Sequence, residues 1–95
     1  MRMIREVLGT GAESAIPGRE LCEVLGISSR DLMSAVERER RDGAPICASS
    51  GSNPGYYLAK DKSEMEAYCK YLFHRGAETM KTYRACCATA EAMAD

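Results

Sequence analysis

The chain has 95 residues, 45% hydrophobic and 28% charged, with 13 Lys and Arg against 14 Asp and Glu for a formal net charge of −1. That composition excludes a disordered tail and supplies one small core. It also lacks the basic surplus of a dedicated nucleic-acid binder, so any such role must rest on locally placed charge.

No apolar run approaches the roughly 18 residues of a spanning helix, and the start MRMIREVL lacks the apolar stretch of a signal peptide. No membrane association is expected, and the expected compartment is the cytoplasm. The five cysteines, at positions 22, 47, 69, 86 and 87, are odd in number and form no C-x-x-C pair. That pattern indicates neither a disulfide framework nor a zinc ribbon, and points to reduced thiols.

In chain order, Met3, Ile4, Val7 and Leu8 have helical spacing and predict a first short helix ending at Gly9 or Gly11. The small polar residues 10–15 read as a loop. Ile16 can add a very short strand, and Pro17 suits the first turn of a second helix, with Arg19 and Glu20 exposed. That helix is expected to bury Leu21, Cys22, Val24 and Leu25.

Gly26 and Ile27 then make a tight turn before Ser28, an N-cap with Asp31 three residues on to complete a capping box. A helix starting at Ser29 turns Leu32, Ala35 and Val36 inward. It stops at Asp42 and Gly43, where glycine suits a left-handed C-cap and Pro45 blocks continuation. Two amphipathic helices joined by a glycine-containing turn describe a helix-turn-helix, whose second helix commonly enters the DNA major groove. Arg30, Arg38, Arg40 and Arg41 fall on that helix or its end, diluted by Glu37, Glu39 and Asp42.

After Gly43 the periodicity changes. Residues 45–49 and 56–59 are strand-like runs separated by the turn cluster 50–55, which predicts a β-hairpin. Simple alternation puts Ile46, Ala48, Tyr57 and Ala59 on one face and Cys47, Tyr56 and Leu58 on the other. A slip of one residue in register exchanges them.

The ordered set G-I-S-S-R-D-L-x-x-A-V-E at 26–37, R-R-D-G-A-P-I at 40–46 and G-Y-Y-L at 55–58 resembles the winged helix-turn-helix domains of bacterial regulators. The similarity is to the subgroup that includes the biotin repressor's N-terminal domain, and to small helix-turn-helix proteins of prophages. It covers residues 3–59. The resemblance implies a three-helix bundle with a small wing, in which the second helix of the motif reads bases. On this chain it places Ser29, Arg30, Met33 and Ser34 toward the groove, with Glu37 and Arg38 nearer the DNA backbone.

Arg30 is the prime candidate, since a guanidinium near the start of such a helix can grip guanine O6 and N7, worth about 1–3 kcal/mol of discrimination. Ser28 and Ser29 can add phosphate contacts through hydroxyls or helix N-terminal amides. Arg41 joins the set by charge, and Ser52 and Asn53 at the wing tip as hydrogen-bond donors to phosphate. Two features depart from the family's pattern. Glu39 stands where an apolar residue is usual, so that part of the helix is expected to lean outward or to rest against the hairpin by the side chain's aliphatic stem, and residues 50–55 contain no Lys or Arg.

From residue 62 onward, Asp61 or Ser63 can cap a helix, with Glu64 and Glu66 in the favourable first turn. Met65, Tyr68, Cys69, Leu72, Met80, Tyr83, Cys87 and Ala90 recur at helical spacing over about eight turns, and Gly76 interrupts them, dividing or bending the helix. So long an apolar stripe exceeds what a small bundle can cover, which leaves surface for a partner and predicts a homodimer through this helix.

The expected architecture is therefore mainly α with a small β-hairpin: a winged helix-turn-helix domain over residues 1–60 and a C-terminal helical dimerisation element over 61–95. The expected function is sequence-specific binding of double-stranded DNA by a small transcription regulator, of phage or mobile-element type, with helix 29–41 in the major groove. The alternative is a non-enzymatic module that uses the same fold and C-terminal helix to bind a protein. No catalytic, metal or cofactor pattern stands out. His74, the sole histidine, has no partner at metal or triad spacing, and no glycine-rich phosphate loop is present.

Overall fold

The computed structural model describes residues 3–93. They form α1 (Gly18–Leu25), α2 (Ser29–Arg41), β1 (Ile46–Ser49), β2 (Gly55–Leu58) and α3 (Lys62–Ala92), preceded by two single 3-10 turns at Ile4–Glu6 and Ala12–Ser14. The architecture is mainly helical, with a small two-stranded antiparallel sheet and a long C-terminal helix. The chain divides into two compact units, one ending at Met65 and one beginning at Glu66.

The helix-turn-helix segment forms as its local signals require. Ser28 is extended and its Oγ accepts from Asp31 N at 3.1 Å, which starts α2. At the other end Gly43 takes φ 100°, while its N–H bonds Arg40 O and the next N–H, of Ala44, reaches back to Glu39 O, both at 3.0 Å. This is a Schellman closure, and the left-handed residue it needs is the glycine the sequence supplies. Gly26 (φ 66°) ends α1 the same way, with Ile27 N on Cys22 O at 3.1 Å. Pro17 sits one position outside α1, at its N-cap.

The core of the first unit joins Ile4, Leu8, Leu21, Leu32, Ala35, Val36, Ala44 and Ile46, with Ile16, Leu25, Ile27, Tyr56 and Leu58 packed around it. Each fully buried Leu, Ile or Val stabilises the fold by about 1.5–3 kcal/mol, so this cluster is the main favourable contribution. Leu32, Ala35 and Val36 face it as predicted.

Val24 does not; it is 60% exposed. At 100° per residue Leu21, Cys22 and Leu25 share one arc of α1, and Val24 falls about 107° from its centre. Gly18 takes the inward position instead, where a Cβ would lie 3.5 Å from Leu32 and Tyr56.

The first predicted helix is a correction. Residues 4–6 make one 3-10 turn, held by Val7 N on Ile4 O at 3.0 Å. A segment this short is placed by what it packs on rather than by its own propensity, because helix nucleation is costly.

The hairpin pairs Ile46 with Leu58, Cys47 with Tyr57 and Ala48 with Tyr56. Residues directly opposite share a face, so Ile46, Ala48, Tyr56 and Leu58 lie together and Cys47 lies with Tyr57. The expected grouping is one residue out of register. Ile46 and Cys47 are both fully buried, so both faces of β1 are covered. Cys47 Sγ lies 3.8 Å from Met65 Sδ.

On the far side of β2, Tyr56 exchanges two backbone hydrogen bonds with Ile16, each 2.9 Å, and Leu58 N bonds Gly9 O while its carbonyl accepts from Gly11 N, both at 2.8 Å. Ile16 thus supplies the short strand-like bridge expected of it. The approach is close at Gly55, where a Cβ would stand 2.3 Å from Ile16 O. Only glycine fits there.

In α3, Asp61 Oδ1 caps Glu64 N at 2.9 Å, and Glu64 Oε1 returns to Lys60 N at 2.9 Å. The helix runs through Gly76 without a break, so the predicted interruption does not divide it. One glycine costs about 1 kcal/mol of helix propensity, too little to end a helix with good formers on both sides. Among the described residues no helix is long and apolar enough to cross a membrane.

Candidate functional site

The outward face of α2 is the candidate site. Measured from Arg30 at 100° per residue, Met33, Ser34, Glu37, Arg38 and Arg41 all fall within an arc of about 140°. All six are exposed, as are Ser28 and Ser29 at the helix start. Met33 is 65% exposed at one edge of this surface. Ser34, Glu37, Arg38, Arg41 and Asp42 line a shallow groove of about 400 Å³. The geometry therefore brings together Arg30, Met33, Ser34, Arg38 and Arg41 on one face of α2, with Ser28 and Ser29 exposed at its start.

The four arginines of the stretch differ in what they hold. Arg40 is half-buried, and its Nε donates to Ile46 O at 2.8 Å, tying α2 to β1. Arg41 pairs with Glu37 one turn back, with both side chains well exposed. Exposed pairs of this kind contribute only about 0.3–0.5 kcal/mol, so Arg41 stays available to a competing anion. Among the described residues Arg30 and Arg38 hold no ion pair.

The wing tip is arranged differently. Ser52 and Asn53 are exposed. The Asn53 amide Nδ2 donates to Ala12 O and Glu13 O, both at 3.1 Å, and Ser49 Oγ donates to Asn53 O at 3.0 Å. Asn53 is therefore a clasp between the hairpin tip and the 3-10 turn Ala12–Ser14. It is not part of the α2 face.

Glu39 is the residue whose role the pattern did not reveal. It is 4% exposed, and its carboxylate accepts from Ile4 N at 2.7 Å and Arg5 N at 2.9 Å. Arg5 Nε lies 3.4 Å from Oε1 as an ion pair. The expectation of an outward-leaning or stem-packed side chain is corrected: the carboxylate turns inward and receives the free N–H groups at the start of the Ile4–Glu6 turn. A signal was present. Glu39 is three and four residues beyond Val36 and Ala35 and stands 180° from Arg30, at the middle of the buried stripe. Satisfying two amides is what makes a charge tolerable there.

None of the sequence-predicted site residues lies on α3. Tyr68 and Tyr71 stack with ring centroids 5.7 Å apart, and the Arg75 guanidinium lies 5.9 Å from the Tyr71 ring centre. His74, Cys69, Cys86 and Cys87 are exposed. Among the described residues no group of three His, Cys, Asp or Glu side chains could hold a metal ion.

Compared with protein-family models, with curated proteins and with solved structures, the chain gives no match.

Proposed function

We propose that this chain is a small, sequence-specific duplex-DNA-binding regulator of the winged helix-turn-helix type, which lays the Ser29–Arg41 helix in the major groove and works as a homodimer through α3. One observation carries the reading: α2 turns one face wholly into the core and leaves Arg30, Met33, Ser34, Arg38 and Arg41 together on the other, with Ser29 exposed at the helix start. A turn of three residues joins it to α1, and the hairpin with its Ile16 bridge follows as a wing. Here Arg30 reads a base edge, Arg38 and Arg41 contact phosphates, and Ser28 and Ser29 meet the DNA backbone at the helix start. Ser52 at the wing tip adds a phosphate contact, whereas Asn53 acts indirectly, by fixing the wing.

The net charge of −1 limits affinity per copy. Counterion release scales with the number of phosphates neutralised, and three arginines supply few, so two copies on a palindromic site are needed for tight binding. Fluorescence anisotropy of a mixed-sequence duplex at low salt tests this. Binding should weaken linearly in log–log against salt. Arg30→Ala should cost about 1–3 kcal/mol on a preferred sequence, and Arg38→Ala should weaken binding to all sequences and flatten the salt slope by about 1. Absence of binding at tens of micromolar protein, or an Arg30→Ala variant that binds as the wild type does, refutes it and leaves a protein-interaction module as the reading.

A further inference from the structure

We propose that α3 pairs with α3 of a second copy in an antiparallel coiled coil, centred between Ala77 and Glu78, that sets Cys69 of each chain beside Cys86 of the other. The proposal rests on the homodimer reading above and adds its geometry. From Cys69 onward every described residue of α3 is exposed. Residues 69, 72, 76, 79, 83, 86 and 90 follow one another at alternating intervals of three and four, which is the heptad seam of a two-stranded coil. They are Cys, Leu, Gly, Thr, Tyr, Cys and Ala, with no charge among them.

The threonine hydroxyls on this side are already satisfied. Thr79, Thr82 and Thr89 each donate their hydroxyl to the carbonyl four residues back, at 3.0, 3.3 and 3.1 Å. What they offer outward is methyl surface, and burying them leaves no hydroxyl without a partner.

Size decides the direction. A parallel, in-register pair stacks Gly76 on Gly76 and Tyr83 on Tyr83, a void in one layer and crowding in the next. In the antiparallel pair Leu72 meets Tyr83, Gly76 meets Thr79 and Cys69 meets Cys86, which evens the layers. The flanking positions agree. Antiparallel packing lays Phe73, 80% exposed, beside Met80 of the other chain, 46% exposed, a favourable sulfur–aromatic contact. Parallel packing sets Met80 against Arg75.

The exposed parts of Leu72, Phe73, Met80 and Tyr83 come to roughly 450 Å² at the 150–250 Å² a large side chain presents. With the small residues between them, the face approaches the ~800 Å² per partner of a standard interface.

The test uses the full chain with Cys22→Ser and Cys87→Ser, which leaves Cys69 and Cys86 as the exposed thiols, treated with a short bis-maleimide. Sedimentation gives the mass first. A two-chain species that cross-links, loses the link on either Cys69→Ser or Cys86→Ser, and regains it when those two variants are mixed supports the antiparallel pair. Two Cys86 thiols lie ~25 Å apart in that arrangement, beyond the linker's reach. A link that survives Cys69→Ser shows parallel pairing and overturns the proposal while the dimer stands, as does a two-chain species that never links. A one-chain mass overturns both.

Discussion

Glu39→Ala removes the carboxylate that holds the start of the chain on α2. Two backbone amides lose their acceptor, Ile4 N at 2.7 Å in a buried position and Arg5 N at 2.9 Å in a partly buried one. A hydrogen bond to a charged group contributes about 1.5–3 kcal/mol, and a buried amide left without a partner costs about 1–3 kcal/mol. Water can reach Arg5 N but not Ile4 N, so one full penalty and part of a second are expected, about 2–4 kcal/mol in all. A unit of this size holds on the order of 3–10 kcal/mol, so the loss is a large share of its stability.

Glu39→Gln keeps one acceptor oxygen and turns an NH₂ toward the other amide, so it should cost less than the alanine variant and more than nothing. Urea unfolding followed by far-UV circular dichroism measures the difference, and amide hydrogen exchange locates it. Ile4 and Arg5 should lose protection ahead of the rest of the unit. A Glu39→Ala protein within about 0.5 kcal/mol of wild type, the range of ordinary surface changes, would refute this account of the buried carboxylate. So would unchanged protection at Ile4.

Gly55→Ala should destabilise by more than 2 kcal/mol, because its Cβ would lie 2.3 Å from a backbone oxygen, whereas Gly26→Ala, with nothing within 4 Å, should cost only the ~1–2 kcal/mol of a left-handed backbone; equal costs by thermal unfolding would contradict the close approach at Ile16. Ser28→Ala removes the cap on α2 and should cost about 1 kcal/mol by urea titration. Glu37→Gln releases Arg41 from its pair, so duplex affinity should rise a few-fold and the salt slope steepen by about 1 in anisotropy, with stability changed by under about 0.5 kcal/mol; weaker binding would place Arg41 outside the interface.

Much of the helix-turn-helix was legible because its signals are local. Ser28, Gly26, Gly43 and the Leu32, Ala35, Val36 stripe act through backbone geometry within a few residues, and the α2 boundaries fall where they direct. Sorting α2 into an outward and an inward face also follows from the 3.6-residue period, which is why the candidate site residues on that helix emerge together. Val24 shows the limit: apolar character alone assigned it to the core, and a 100° rotation took it out.

What depended on tertiary structure involves partners far apart in sequence. The hairpin register, one residue from simple alternation, is set by Ile46 entering the helical core and by the strand-like contacts of residues 9–16 with β2. Whether Asn53 offers its amide to a ligand or to its own chain depends on a 3-10 turn some 40 residues earlier. The inward turn of Glu39 depends on amides 34 and 35 residues away. Composition and spacing determined by themselves that this chain would form two short capped helices, a hairpin and a long helix. Only packing decided which polar groups spend their hydrogen bonds inside the fold, because a buried donor must find its acceptor wherever the chain brings one.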